Sequence, residues 1–255
     1  MFFSMNDFEI DKTKETIEDL QYKGLKIIQN KSCFCFGTDA VLLADFINLK
    51  KDDKVLDFCT GTGIVPVLLS GRARAKKIVG IELMPYIANM AQRSVMLNRL
   101  SNDVAIIEGD VKKAHQLLND VFDVVSVNPP YEKAESKLKS DNQYLAAARH
   151  EIFCTLADIC KSANRMLKCG GRFFMVHRVA RLTEIFDTMT KYKIEPKRLR
   201  FVHPTMGSEP NLVLVAGTKD GKRGICIDPP LYIRNKNGTY TKELLKIYHM
   251  DESED

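Results

Sequence analysis

The stretch Val124-Val125-Ser126-Val127-Asn128-Pro129-Pro130-Tyr131 constrains the fold more than any other. Its β-branched run is too short for a helix and too uniform for a strand with one wet face. It reads as a strand buried on both sides. Proline fixes φ and has no backbone N–H, so the strand must stop there. Asn128 precedes a proline and is pushed into an extended conformation. The outcome is a stiff loop at the carboxyl end of a strand, which is where open α/β sheets bind their ligands.

The loop has a chemistry of its own. The Asn128 side-chain oxygen and the Pro129 carbonyl both accept hydrogen bonds, and a planar –NH2 group has two protons to donate. Tyr131 offers a flat face for a base, a contact worth roughly 1–3 kcal/mol. The plainer reading is a Pro-Pro turn carrying a surface tyrosine, and the residues upstream decide between the two. Val55-Leu56-Asp57-Phe58 reads as a strand that runs into Cys59-Thr60-Gly61-Thr62-Gly63 and then a helix from Ile64 to Leu69. Strand, glycine turn and helix let a ligand approach the backbone and a helix N-terminus closely.

Two users of such turns fit poorly. A P-loop needs Gly-Lys-Ser/Thr where this chain has Gly63-Ile64-Val65, and a dinucleotide fold wants a small residue where Pro66 stands. Instead, three successive strands each end in an acid. Asp57 closes the first, Glu82 closes Ile78–Ile81, and Asp110 follows Val104–Ile107. Such acids can bind an ammonium group, a ribose diol and an adenine amine. S-adenosyl-L-methionine carries all three.

The chain has 255 residues, 45% of them hydrophobic, enough for one generous domain or one domain with an appendage. The expected division is 1–50 as a leader and cap helix packed on the core, 51–217 as the core, and 218–255 as an appendage with an acidic tail. The seven cysteines are scattered without zinc spacing and read as reduced thiols in a cytoplasmic protein, with no metal. No apolar run is long enough to span a membrane. Net charge is a modest +5, but Lys161 to Arg200 is strongly basic. Lys191, Lys193, Lys197, Arg198 and Arg200 form its densest part and are the candidates for phosphate contact with RNA.

The remaining elements follow from patterning. Residues 1–20 read as a polar leader with weak helical tendency, and Gly24–Asn30 as a short strand. Thr38 or Asp39 is placed to cap an apolar helix through Phe46. Pro85 opens a helix to Arg99 whose apolar face is Ile87, Met90, Ala91, Val95 and Met96. Glu132–Lys139 reads as a charged lid or loop. A long helix is expected from Ala146 to Lys168, stopped by Gly170-Gly171. Strand Arg172–His177, helix Leu182–Thr190 and the strand pair Arg198–Val202 and Leu212–Ala216 come next, with a hairpin and helix after Gly217. If the sheet order reverses beside the first strand, the glycine turn and the Asn128 loop face one crevice.

The order Asp57-x-x-x-Gly61-x-Gly63, Glu82, Asp110, Asn128-Pro129-Pro130-Tyr131 resembles class I S-adenosylmethionine-dependent methyltransferases, in the form used on nitrogen in planar groups. Gly37-Thr38-Asp39-Ala40-Val41-Leu42-Leu43-Ala44, Phe201-Val202-His203-Pro204 and Glu209-Pro210-Asn211 are similar to the bacterial tRNA(Val) adenine-N6 methyltransferase family. The resemblance implies a doubly wound, Rossmann-like, seven-stranded, mostly parallel sheet with an antiparallel edge strand. It implies S-adenosyl-L-methionine as cofactor, tRNA as partner and the adenine 3′ of the anticodon as target. Asp57, Gly61 and Gly63 would border the methionine part, Glu82 would bind ribose, and Asp110 the cofactor adenine. Thr38, Thr60 and Asn128 complete that set. Asn128, Pro129 and Tyr131 would hold the target amine and its ring.

Other readings remain open at this point. Protein glutamine methyltransferases share the motif but usually carry a helical substrate domain, for which residues 1–50 leave little room. Guanine-N2 enzymes often have Phe after the prolines and a duplicated half. A DNA adenine enzyme needs a target-recognition domain. An RNA-binding protein that keeps the cofactor fold without turnover would have no need of an intact Asn128 and its acids.

Overall fold

The computed structural model describes residues 10–30, 37–72, 75–131 and 154–250. The expected segment Glu132–Lys139, residues 146–153 of the expected helix Ala146–Lys168, Cys33, Cys35 and the tail 251–255 lie outside the described residues. A nine-stranded sheet forms the centre. Its parallel strands β3 (Lys54–Phe58), β4 (Lys77–Glu82), β5 (Val104–Glu108), β6 (Phe122–Val127) and β7 (Leu167–Arg178) lie close to their expected positions. β8 (Ile194–Thr205) and β9 (Leu212–Lys219) complete the expected seven. The order β8-β9-β7-β6-β3-β4-β5 reverses beside β3, which puts β3 and β6 side by side. β9 is the antiparallel strand, and it sits between β7 and β8 rather than at the edge.

Burial of both faces follows from the alternation of side chains along each strand. Val55, Ile78, Val104 and Val124 point into one apolar layer with α1 (Thr38–Phe46) and α2 (Ile64–Arg72). Leu56, Val79, Val125 and Val127 point into the other layer, against α5 (Leu156–Met166) and α6 (Leu182–Lys191). Helix α3 (Pro85–Leu97) starts at its proline as expected and buries Ile87, Met90, Ala91 and Val95, but Met96 faces solvent. A four-residue helix, α4 (Ala114–Leu117), precedes β6. Among the described residues no helix is long and apolar enough to cross a membrane.

The structure corrects four expectations. The leader is not helical over its second half, because Glu15–Asp19 forms strand β1 and pairs antiparallel with β2 (Lys26–Asn30). Helix α5 starts at Leu156, where Thr155 and Asp158 form a reciprocal capping box that satisfies two backbone donors. Gly170-Gly171 does not stop that helix. It ends at Met166, and Lys168–Gly171 bulges out of register between the Phe122–Leu167 and Val124–Arg172 pairs. The C-terminal segment is not a detached hairpin, since β10 (Cys226–Ile227) and β11 (Leu231–Arg234) both pair parallel with β8 and extend the main sheet. Helix α7 (Lys242–Ile247) then packs back onto α1, burying Leu244 and Ile247 in the same apolar layer.

The β1–β2 hairpin is held by a buried ion pair. Arg93 donates from Nη1 and Nη2 to Glu15 at 2.7 and 2.6 Å, and Tyr86 Oη–H donates to the same carboxylate at 3.1 Å. The Arg93 hydrogen bonds hold Glu15 below the usual carboxylate range against the opposing push of burial. Removing one partner strands a buried charge, a change that costs about 3–5 kcal/mol. Arg93→Ala is therefore expected to lower Tm strongly in thermal denaturation. Because the Glu15 pKa is depressed in the fold, the pair's contribution is present in full above the unfolded value of 4.5. It fades as pH falls through the folded pKa, so acid denaturation of Glu15→Gln should begin from a lower plateau and show a shallower slope.

Candidate active site

Every sequence-predicted catalytic and cofactor residue except Thr38 lies at the carboxyl ends of β3, β4, β5 and β6. Phe58 and Val127 are the last register pair of β3 and β6, so the glycine turn and the Asn128 loop leave adjacent strand ends. Asp57 pairs with Ser126 one step earlier, and Ser126 Oγ–H donates to Asp57 Oδ1 at 2.6 Å. Ser126 is the one polar side chain in its apolar run, a signal that the sequence reading passed over. Burial pushes the Asp57 carboxyl up to about 7, the Ser126 hydroxyl pulls it back, and the Glu82 charge adds to the push.

The turn itself is built around two glycines. Gly61 has φ +57°, and a Cβ there would meet only open space, so a ligand can reach the backbone at this point. Gly63 has φ +87° and packs 3.3 Å from Ala91 of α3, measured from where a Cβ would stand. Glu82 Oε2 accepts from the Gly61 N–H at 2.9 Å and Oε1 from the Met84 N–H at 3.0 Å. Burial raises the Glu82 pKa against those N–H bonds. Asp110 Oδ1 accepts from the Lys112 N–H at 2.9 Å and caps a short 3-10 turn. Two buried acids and an open glycine backbone suit a ligand that carries both positive charge and hydroxyl groups.

On the other side of the crevice Pro129 is buried and Asn128 half-buried. The Tyr131 hydroxyl lies 2.7 Å from Asn128 Oδ1 and 2.6 Å from Asp39 Oδ2. The Tyr131 ring packs edge-on against His177, with centroids 5.3 Å apart, and carries the Arg178 guanidinium 5.1 Å from its centre. Burial drives the Tyr131 pKa well above its ordinary value, and the Asp39 charge adds to this. Burial, with Arg181 nearby, drops His177 to about 4, so its ring is neutral at pH 7. His177 Nδ1 accepts from the Arg178 N–H at 2.8 Å, which leaves the proton on Nε2, where it has no partner among the described residues.

Comparisons with known proteins bear on the fold and on the class of reaction. A family model described as the TRM5/TYW2 methyltransferase domain matches residues 45–145. The tRNA1(Val) (adenine(37)-N6)-methyltransferase of Phocaeicola vulgatus is 24% identical over 226 residues, 89% of this chain and 94% of that one. That of Porphyromonas gingivalis is 28% identical over 200 residues, 76% and 78% of the two chains. A solved structure described as a predicted O-methyltransferase from Agrobacterium tumefaciens has a TM-score of 0.67 at 18% identity, covering 83% of this chain and 96% of that chain. This chain is a class I methyltransferase.

Two of the methyltransferase's expected site features come out differently. Neither Thr38 nor Asp39 caps α1. Gly37 occupies the cap position, Asp39 turns to Tyr131, and Thr38 faces Tyr248 of the C-terminal segment. The basic group also divides. Arg198 donates to Asp228 at 2.7 Å and lies 4.3 Å over the Phe46 ring, while Arg200 is paired with Glu243 and bonds the Pro229 carbonyl. Those arginines tie the C-terminal segment to β8, and their charges are already met. Lys197 bonds the Lys222 carbonyl. Lys191 and Lys193 are exposed beside the start of β8, whereas the crevice lies at the other end of the sheet. Through Met175 and Val215 the end of β6 at Val127 is level with Leu199, so at roughly 3.3 Å per residue about 20 Å of strand separates Lys193 from the crevice. Asp39, Ser126, His177 and Arg178 are the site residues that sequence reasoning did not select.

The raised Asp57 pKa has a measurable consequence. Its folded value exceeds the unfolded 3.8, so its contribution is fully present below 3.8 and is lost as pH rises to about 7. Asp57→Asn should match the wild type in Tm at the acid end of that interval and exceed it at the alkaline end, in melts followed by circular dichroism.

Proposed function

We propose that this methyltransferase moves a methyl group from S-adenosyl-L-methionine to the N6 amine of an adenine in tRNA, position 37 of tRNA(Val) by likeness to its relatives. The observation that carries the reading is the adjacency of the glycine turn and the Asn128 loop on the paired ends of β3 and β6. The open backbone at Gly61 and the buried acids of that crevice fit the cofactor. Asp57, Thr60, Gly61 and Gly63 would hold its methionine part, Glu82 its ribose and Asp110 its adenine, with Thr38 and Asn128 on the rim. When bound, the cofactor supplies an electrophilic methyl on a sulfonium.

The protein's part is positioning. The lone pair of an aromatic amine is delocalised into its ring, so the amine is a poor nucleophile. Asn128 and the Pro129 carbonyl accept its two protons as hydrogen bonds, which localises density on nitrogen and aims the lone pair. The methylated nitrogen is strongly acidic and loses its proton to water, so no side-chain base is required. Holding two reactants in line can supply about 7–11 kcal/mol of the barrier. The target base must leave its stack, at a cost of a few kcal/mol that an anticodon loop reduces. Tyr131, with Arg178 on one face, gives the flipped ring an apolar wall.

An anticodon stem seated with its loop at the crevice would extend back along β8 towards Lys191 and Lys193. The C-terminal segment 218–250 would brace that edge, with 51–217 as the catalytic core and 1–50 as its cover. A tRNA substrate would also suit the expected cytoplasmic location.

Incubation with radiolabelled cofactor and tRNA(Val) transcripts, followed by nucleoside mass spectrometry, tests the assignment. N6-methyladenosine is expected, and it should vanish when adenine 37 is replaced by guanine. Label entering release factor or rRNA instead would remove tRNA from the account. Asn128→Ala should abolish turnover while calorimetry finds cofactor affinity unchanged. Lys191→Glu/Lys193→Glu should weaken tRNA binding and flatten its dependence on salt, by about one unit of slope for each phosphate no longer neutralised. Cofactor affinity should be unaltered in that variant.

A further inference from the structure

The Tyr131 hydroxyl has one proton and two oxygen neighbours, Asp39 Oδ2 at 2.6 Å and Asn128 Oδ1 at 2.7 Å. It cannot donate to both. A carboxylate is the stronger acceptor, and charge-assisted bonds are about twice as strong as neutral ones. The proton therefore goes to Asp39, and the phenol oxygen is left as an acceptor only. Asn128 can then meet it only with its –NH2 end. The two ends of an amide are interchangeable in position and are assigned by their partners. Turning Asn128 in this way carries its carbonyl oxygen to the side facing the crevice.

Asp39 is built for this task. It stands in the first turn of α1, where the helix dipole favours a negative charge. Its Oδ1 accepts from the Ala40 N–H at 2.9 Å, which fixes the carboxylate plane and leaves Oδ2 for Tyr131. A Cβ on Gly37 would come within 2.7 Å of Oδ1, so the glycine clears the space that the carboxylate occupies. Tyr131 in turn is fixed by His177 and Arg178. Asp39 and Tyr131 are thus each held from at least two sides.

We infer that Asp39 is a positioning residue that, acting through the Tyr131 hydroxyl, fixes the Asn128 amide with its oxygen towards the target amine. The inference rests on the proposed transfer to an exocyclic amine, because only a donor substrate requires that orientation. Replacing Asp39 by Asn gives Tyr131 a donor neighbour. The phenol proton then turns to Asn128 Oδ1, the amide flips, and its –NH2 faces the incoming –NH2.

The test is a double-mutant cycle. Asp39→Asn should lower kcat by about 10²-fold, the scale for losing one preorganised hydrogen-bond partner. Cofactor affinity, KM for tRNA and Tm should stay at wild-type levels. Tyr131→Phe frees the amide to turn either way and should cost less. In the Tyr131→Phe background, Asp39→Asn should cost nothing further. An equal loss in both backgrounds, or a loss carried by cofactor affinity, overturns the relay. A second readout needs no substrate. In the wild type the Asn128 Nδ2 protons should show nuclear Overhauser effects to the Tyr131 ring, and Asp39→Asn should abolish them. Wild-type protons that face the crevice overturn the inference even if methyl transfer is observed. If the effects are present but tRNA is not methylated, the relay stands and the proposed reaction falls.

Discussion

The structure depends on the pairing of β3 with β6. These strands carry the two halves of the chemistry, and no other neighbour relation in the sheet would bring them together. Their register also matters. Asp57 lies opposite Ser126, and the 2.6 Å bond between them is made in a fully buried layer. A shift of one residue would turn Asp57 to the other face and empty the base of the crevice. Apolar packing secures that register from both sides, since Val55 and Val124 belong to one layer and Leu56, Val125 and Val127 to the other.

The buried acids make this crevice costly to keep without a ligand. Asp57 and Glu82 both have raised pKa values, chiefly from burial, and the Glu82 charge further disfavours ionisation of Asp57. Glu82 is offset by two backbone N–H groups, one of them, that of Gly61, from the very turn that a ligand would touch. A ligand carrying positive charge relieves what burial imposes, so part of its affinity comes from a cost the fold already bears. The same reasoning separates the two sides of the site. The β3–β4 side is acidic and would hold a cation, whereas on the β6 side Asn128, Pro129 and Tyr131 are uncharged and fixed in shape, as a positioning surface needs to be.

Much of this was legible in the residues. The carboxyl end of β6 was read to the residue, because a short β-branched run closed by two prolines leaves no other choice. The strand-end acids were legible from their repeated position. What was not legible depended on distant partners. Strand β1 looked polar and weakly helical because the burial of Glu15 requires Arg93, which stands 78 positions away. The bulge at Gly170-Gly171 copies a helix stop, since in both cases a glycine takes up a positive φ. Asp39 carried the residue type of a helix cap, and nothing local showed that its second oxygen would be used by Tyr131. The basic stretch 191–200 looked uniform, but its members meet different partners, so Arg198 and Arg200 became struts while Lys191 and Lys193 stayed exposed.

The segments flanking the core acquire reasons in the same way. In Gly37-Thr38-Asp39 the glycine clears space, the threonine meets Tyr248 at the end of α7, and the aspartate meets Tyr131. Asn211 links β8 to β7 through its backbone, accepting from the Val179 N–H at 3.3 Å and donating to the Val202 carbonyl at 3.1 Å. That link sets the carboxyl end of β7, where His177 and Arg178 wall in Tyr131. The N-terminal helix thus reaches Tyr131 directly through Asp39, while the Asn211 turn acts on it through the end of β7 and the C-terminal segment through Thr38. A side chain held this closely adds little by adjusting to a ligand; its contribution is to keep its neighbour Asn128 from turning. The flanking segments are thus part of the catalytic geometry, though none of them contributes a residue that would touch the cofactor's reacting methyl.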